Sequence, residues 1–104
     1  MKSNMNNKIE LYNAFLQLKN TDEVANFCRD LMTEDEINEF AKRWEIARQL
    51  NDGKSQRTIA RNLNLSITTV TRVNRWLKRG KNGYKTVLDR INSLHHHKPD
   101  SAGL

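Results

Sequence analysis

The segment Ser55 to Lys78 reads SQRTIARNLNLSITTVTRVNRWLK and concentrates side chains whose chemistry suits a base edge or a phosphate. Arg donates two hydrogen bonds in a fork that matches guanine, and the Gln amide offers the donor and acceptor that adenine requires. Thr and Ser bond base or phosphate, and a methyl group can touch thymine. Ser55 and Ser66 stand where helices would begin, and the free N–H groups after such caps attract phosphates. The candidate DNA-facing residues are therefore Gln56, Arg57, Ser66, Ile67, Thr68, Thr69, Thr71, Arg72 and Arg75, and the expected partner is double-stranded DNA.

Charge points the same way. The 104 residues carry 18 Lys plus Arg against 12 Asp plus Glu, a formal net charge of +6. From Met1 to Gly53 the count is 7 against 10, net −3, whereas from Lys54 to Arg90 it is 10 against 1, net +9. A basic end on an otherwise acidic chain is suited to a polyanion, because Lys and Arg bound to phosphates release condensed counterions. The run Lys78, Arg79, Lys81, Lys85 can add phosphate contacts or serve solubility alone.

Other chemistries find little footing. Glu34, Asp35, Glu36 and Glu39 form a carboxylate cluster, but in the first turn of a helix they favour the dipole rather than acid–base catalysis. His95, His96 and His97 are adjacent on a polar end with no outer shell to orient them, so no metal site is expected. Cys28 stands alone and reads as a small buried hydrophobe in a reducing compartment. No glycine-rich phosphate loop or nucleophile with its base can be picked out, so neither enzyme activity nor a catalytic residue is predicted. No stretch approaches the ~18 apolar residues of a membrane span and the N-terminus has no apolar signal core, so the expectation is a cytoplasmic protein with no membrane partner.

The elements that must position these residues are all helical. Glycine is scarce, the only proline is Pro99, and no alternating apolar and polar run appears. Ile9, Tyr12, Phe15 and Leu16 define a first helix ending near Asn20. Thr21 is the expected N-cap of a second, whose stripe is Val24, Phe27, Cys28 and Leu31. Thr33 and Glu36 form a capping box opening a third helix with an apolar face of Ile37, Phe40, Ala41, Trp44, Ala47 and Leu50, stopped by Gly53. Leu11, Leu18 and Ile46 lie off these stripes, which predicts helices buried on more than one side, as at a homodimer interface formed by the first two helices and the last. A fourth helix runs from Gln56 to about Leu63, a fifth from Ile67 to about Lys78 and a sixth carries Tyr84, Val87, Leu88, Ile91 and Leu94. Residues 1–94 are read as one domain and 95–104 as a flexible tail.

Within residues 55–78, Ile59 and Leu63 supply inward contacts, Ala60 permits a close helix crossing and Asn64 suits a left-handed turn position. Leu65 plugs the corner, and Val70, Val73 and Leu77 pin the following helix. This is the spacing of a helix-turn-helix.

The chain resembles the Trp-repressor family, and within it the YerC/YecD-like branch. LMTEDEINEFAKRWEIARQL is similar to the family's helix before the reading head, and SQRTIARNLNLSITTVTR is similar to the head itself, with TVTR and SQR the most telling elements. The resemblance implies an all-α, six-helix, intertwined homodimer that represses transcription from a pseudo-palindromic operator. It also implies a small-molecule corepressor pocket, to which Thr33, Arg43, Thr69 and Arg72 correspond. Arg72 thus has two readings, one on DNA and one in the pocket. Departures lie around the same space: Val73 replaces a glycine, Trp76 a serine, Trp44 a pocket-wall valine, and Asp30 an apolar residue. Trp44 and Trp76 join the candidate effector set, and together the departures fill or repolarise an indole-sized space. They predict DNA binding without L-tryptophan or with another small effector, with a tryptophan-responsive repressor as the alternative. A DNA-binding module of transposase or replication-initiator type and a helical protein-interaction domain are the remaining alternatives.

Overall fold

The computed structural model describes residues 4–103, with side chains described over residues 6–94. Six helices follow one another: α1 (Asn4–Phe15), α2 (Thr21–Leu31), α3 (Glu34–Asn51), α4 (Gln56–Leu63), α5 (Ile67–Arg79) and α6 (Gly83–Gly103). The fold is all-α, as the sequence predicts, with no strand among the described residues. The expected tail 95–104, with His95, His96 and His97, lies outside the residues whose side chains are described.

The chain divides into two compact units, Met1–Glu39 and Phe40–Leu104. In the first, α1 stops at Phe15, short of Asn20, through overlapping turns in which Leu16, Gln17 and Leu18 donate to Asn13, Ala14 and Phe15 carbonyls. Asn20, not Thr21, caps α2: its backbone is extended and its Oδ1 accepts the Glu23 N–H at 2.9 Å, leaving Thr21 as the first helical residue. Asn and Thr are both good caps, and the side chain three residues before the receptive N–H takes the role. Phe15 meets Phe27 edge-to-face with centroids 5.1 Å apart. The capping box forms as expected, with the Glu36 N–H donating to Thr33 Oγ1 at 3.1 Å and the Thr33 N–H to Glu36 Oε1 at 2.8 Å.

The second unit holds the core. Ile46, Ala47, Ile59, Ala60, Val70 and Val73 are buried together, with Trp44, Leu50, Leu63, Leu65 and Tyr84 packed against them. Ile46, expected off the stripe of α3, is fully buried, whereas Phe40 is 44% exposed and Ala41 is also exposed. Helix α3 has apolar residues on two sides, and α4 and α5 cover the side carrying Ile46 and Ala47. After α3, Gly53 turns the chain at φ +92°, a conformation open to glycine at little cost.

Candidate nucleic-acid interface

Local chemistry fixes the two helices that carry the candidate DNA-facing set. Ser55 caps α4, its Oγ accepting the Thr58 N–H at 3.1 Å. Asn64 ends α4 in the left-handed region at φ 55°, ψ 49°, and the Leu65 N–H closes the turn on the Ala60 carbonyl at 2.9 Å. Ser66 then caps α5, accepting the Thr69 N–H at 3.3 Å, with the two side-chain hydroxyls 3.1 Å apart. Ile59 and Ala60 of α4 and Val70 and Val73 of α5 are buried, so the residues between them on α5 must face outward.

Ile67, Thr68, Thr71, Arg72 and Arg75 line one shallow cleft of about 200 Å³ on that outer face. All five are exposed. Gln56, half-buried at the start of α4, joins them through Thr71, whose Oγ1 donates to Gln56 Oε1 at 2.7 Å. Arg57 is exposed beside it. Ser66 and Thr69 are brought together in the cap, which engages both hydroxyls.

Of the candidate effector residues, two share a cleft. Trp44 and Trp76 line a larger cleft of about 550 Å³ with Gly80, Lys81, Gly83, Tyr84 and Val87. Trp44 stacks on Tyr84 with centroids 6.2 Å apart and planes 28° off parallel. Gly80 donates its N–H to the Trp76 carbonyl at 2.9 Å, and a Cβ there would fall 2.4 Å from that oxygen, so the close approach requires glycine. Arg72 lines the outer cleft of α5, the Arg43 guanidinium sits over the Phe40 ring at 5.5 Å, and Thr33 is engaged in its capping box. The sequence pattern places Lys81 only in the basic run and assigns Tyr84 and Val87 to no site. The signal that could have found them is the aromatic Tyr84 one turn before Val87 on a helix starting soon after Trp76.

A third cleft, of about 400 Å³, is lined by Leu50, Asn51, Leu77, Lys78, Asn82 and Lys85, which places two lysines of the basic run there. Among the described residues, no group of His, Cys, Asp and Glu has the numbers to hold a metal ion, and no helix is long and apolar enough to cross a membrane.

Two capped helices, a left-handed turn between them, a buried inner face and an outer face of Thr, Arg and Gln define a helix-turn-helix DNA-binding protein. The chain matches the model of the Trp repressor protein family over residues 7–92, and it belongs to that family of DNA-binding transcription regulators. Among solved structures, a TrpR-like protein from Eubacterium eligens is 36% identical with a TM-score of 0.74, over 80% of this chain and 86% of that one. A candidate Trp repressor from Staphylococcus aureus is also 36% identical, with a TM-score of 0.74 over 80% of this chain and 83% of its own. No curated protein matches the chain.

Proposed function

We propose that this chain is a cytoplasmic repressor that binds a pseudo-palindromic operator as an intertwined homodimer, with α5 in the major groove. The observation that carries this reading is the cleft on the outer face of α5, where Ile67, Thr68, Thr71, Arg72 and Arg75 converge. Arg72 and Arg75 offer forked donors for guanine, Thr68 and Thr71 offer short polar contacts, and Ile67 offers a methyl for thymine. Gln56, Arg57, Ser66 and Thr69 flank them, the last two beside the N-terminal N–H groups of α5 that suit phosphate.

A second copy of the chain is the proposed cover for Ile9 and Tyr12 of α1, Leu16 just after it, and Val87, Ile91 and Leu94 of α6, which are between 37% and 77% exposed. In a dimer of this kind the reading helices lie about one DNA turn apart, roughly 34 Å; Trp repressor is among the proteins that define this docking geometry. Independence from L-tryptophan is supported by the two indole side chains lining the larger cleft, while Arg72 lines another and Arg43 stacks on Phe40. A small effector of another kind, seated among Thr33, Arg43, Trp44, Thr69, Arg72 and Trp76, is the alternative.

Selection of DNA from a random pool, with and without L-tryptophan, tests the reading. A palindromic consensus recovered equally under both conditions is expected. An asymmetric consensus would move the protein to the transposase or replication-initiator class, and saturable L-tryptophan binding by calorimetry that tightens operator binding would overturn the independence.

A further inference from the structure

The hydrogen bond between Thr71 and Gln56 spans 15 positions in sequence and joins α5 to α4 on the outer face of the reading head. The other side-chain pairs of this region, Ser55 with Thr58 and Ser66 with Thr69, are local caps. A helical threonine can turn its hydroxyl back onto the carbonyl one turn earlier. Here the hydroxyl donates across the helix pair instead, to Gln56 Oε1 at 2.7 Å.

That bond changes what Gln56 presents. A glutamine that reads adenine uses its amide oxygen to accept from N6 and its amide nitrogen to donate to N7, both in the plane of the base. With Oε1 drawn to Thr71, the group left to face outward is the Nε2 amide nitrogen with its two N–H donors. A paired adenine contact must break the Thr71 bond or share its oxygen in the same plane. An acceptor on the DNA, either guanine O6 and N7 or a phosphate oxygen, needs only the donors and leaves the bond intact.

We infer that Thr71 is a positioning residue that holds Gln56 as a hydrogen-bond donor, so that Gln56 selects acceptors on the DNA over adenine. This rests on the DNA-reading function proposed above. The threonine is exposed and the glutamine half-buried, so substitutions at either position leave the core untouched.

Two measurements test it. In the free protein, nuclear relaxation of the Gln56 side-chain amide is expected to show a rigid group in wild type and Thr71→Ser, and a mobile one in Thr71→Val, which keeps the branched shape and loses the hydroxyl. An equally rigid amide in Thr71→Val overturns the positioning bond. On the selected site, base substitutions and neutral methylphosphonate linkages are scanned with wild type, Thr71→Val, Gln56→Ala and the double variant.

Wild type is expected to prefer guanine at the Gln56 position, or to lose affinity at one methylphosphonate regardless of base, which separates the two acceptor sources. Thr71→Val is expected to erode that selectivity roughly two- to tenfold, the worth of one neutral hydrogen bond, and Thr71→Ser to restore it. A wild-type preference for adenine, or the same Thr71→Val effect in the Gln56→Ala background, overturns the inference. If wild type selects no sequence at all, the DNA-reading proposal itself fails, while the relaxation data still decide whether Thr71 holds Gln56.

Discussion

The unit Met1–Glu39 and the unit Phe40–Leu104 differ in what they bury: the first has no buried residue among its described side chains, while the second has a core and also leaves Val87, Ile91 and Leu94 of α6 exposed. The C-terminal unit gathers Ile46, Ala47, Ile59, Ala60, Val70 and Val73 into a core. In the N-terminal unit no residue of α2 is buried, and Ile9, Tyr12, Leu16, Val24 and Leu31 are exposed. Their charges differ as well, with 4 Lys plus Arg against 8 Asp plus Glu in the first unit and 14 against 4 in the second. The positive unit thus seats the two helices of the reading head on a buried core. The acidic unit is left with apolar faces whose burial depends on something else, which the proposed dimer supplies.

The largest test of this contrast is a matched pair of truncations. Ile46→Ala removes a fully buried side chain and should cost about 2–5 kcal/mol in urea unfolding. That loss should be the same at every protein concentration. Leu16→Ala removes a side chain that is 77% exposed, and its effect should appear only as a concentration-dependent loss of the dimer in sedimentation and unfolding. A concentration-independent loss of several kcal/mol for Leu16→Ala would break the comparison, because it would place a hidden core in the acidic unit.

The two units also differ in how well the sequence describes them. The reading head is legible because its signals are local: Ser55 and Ser66 as caps, Asn64 as the left-handed turn, and Ile59, Ala60, Val70 and Val73 at helical spacing. The Thr33–Glu36 box is legible for the same reason. Ile46 was not, because a helix with two apolar sides does not reveal which side its neighbours will cover. The expected cap of α2 is off by one residue because Asn20 and Thr21 are both good cap types in adjacent positions. The Thr71–Gln56 bond and the meeting of Trp44 with Tyr84 join residues far apart in sequence, and no periodicity within one helix predicts such a pair.

Next in size are substitutions confined to the positive unit. Arg57→Ala should cost about 1–3 kcal/mol on the selected operator and relax one base position, as expected for a direct base contact. Lys81 lines the cleft with Trp44 and Trp76 and is not among the residues that line the α5 outer cleft. Lys81→Ala should therefore weaken operator and random DNA alike and lower the salt slope by about one. Equal losses on both DNAs for Arg57→Ala would remove Arg57 from the reading surface.

A smaller effect should come from the turn that sets α5 against α4. Asn64 sits at φ 55°, where a β-carbon is strained and asparagine is better tolerated than most residues. Asn64→Ala should destabilise the protein by about 1 kcal/mol and Asn64→Gly should not, as read by urea midpoints at constant slope. If both variants match wild type, the turn is not what holds the reading head in shape.

The smallest effect concerns acid stability and belongs to α3 alone. Gln49 Nε2 donates to Glu45 Oε2 at 2.9 Å, and this bond lowers the Glu45 carboxyl below its ordinary value of 4.5. Partial burial opposes the shift, while Arg48, ion-paired with the same carboxylate, and Lys54 reinforce it. A carboxyl whose folded pKa is depressed contributes stability that is fully present above its unfolded value and is lost as pH falls through the folded one. The stability difference between wild type and Glu45→Gln should thus be constant near neutrality and shrink below pH 4.5. The side chain is 36% exposed, so solvent screening keeps the difference small, within the range of a surface pair on a helix. Because Glu45 lies on the helix that supplies Ile46 and Ala47 to the core, the acid loss should track unfolding of the positive unit. It should therefore be unchanged in a Leu16→Ala background. A loss that instead follows dissociation of the dimer would tie α3 to the assembly surface and sharpen where the two units divide their work.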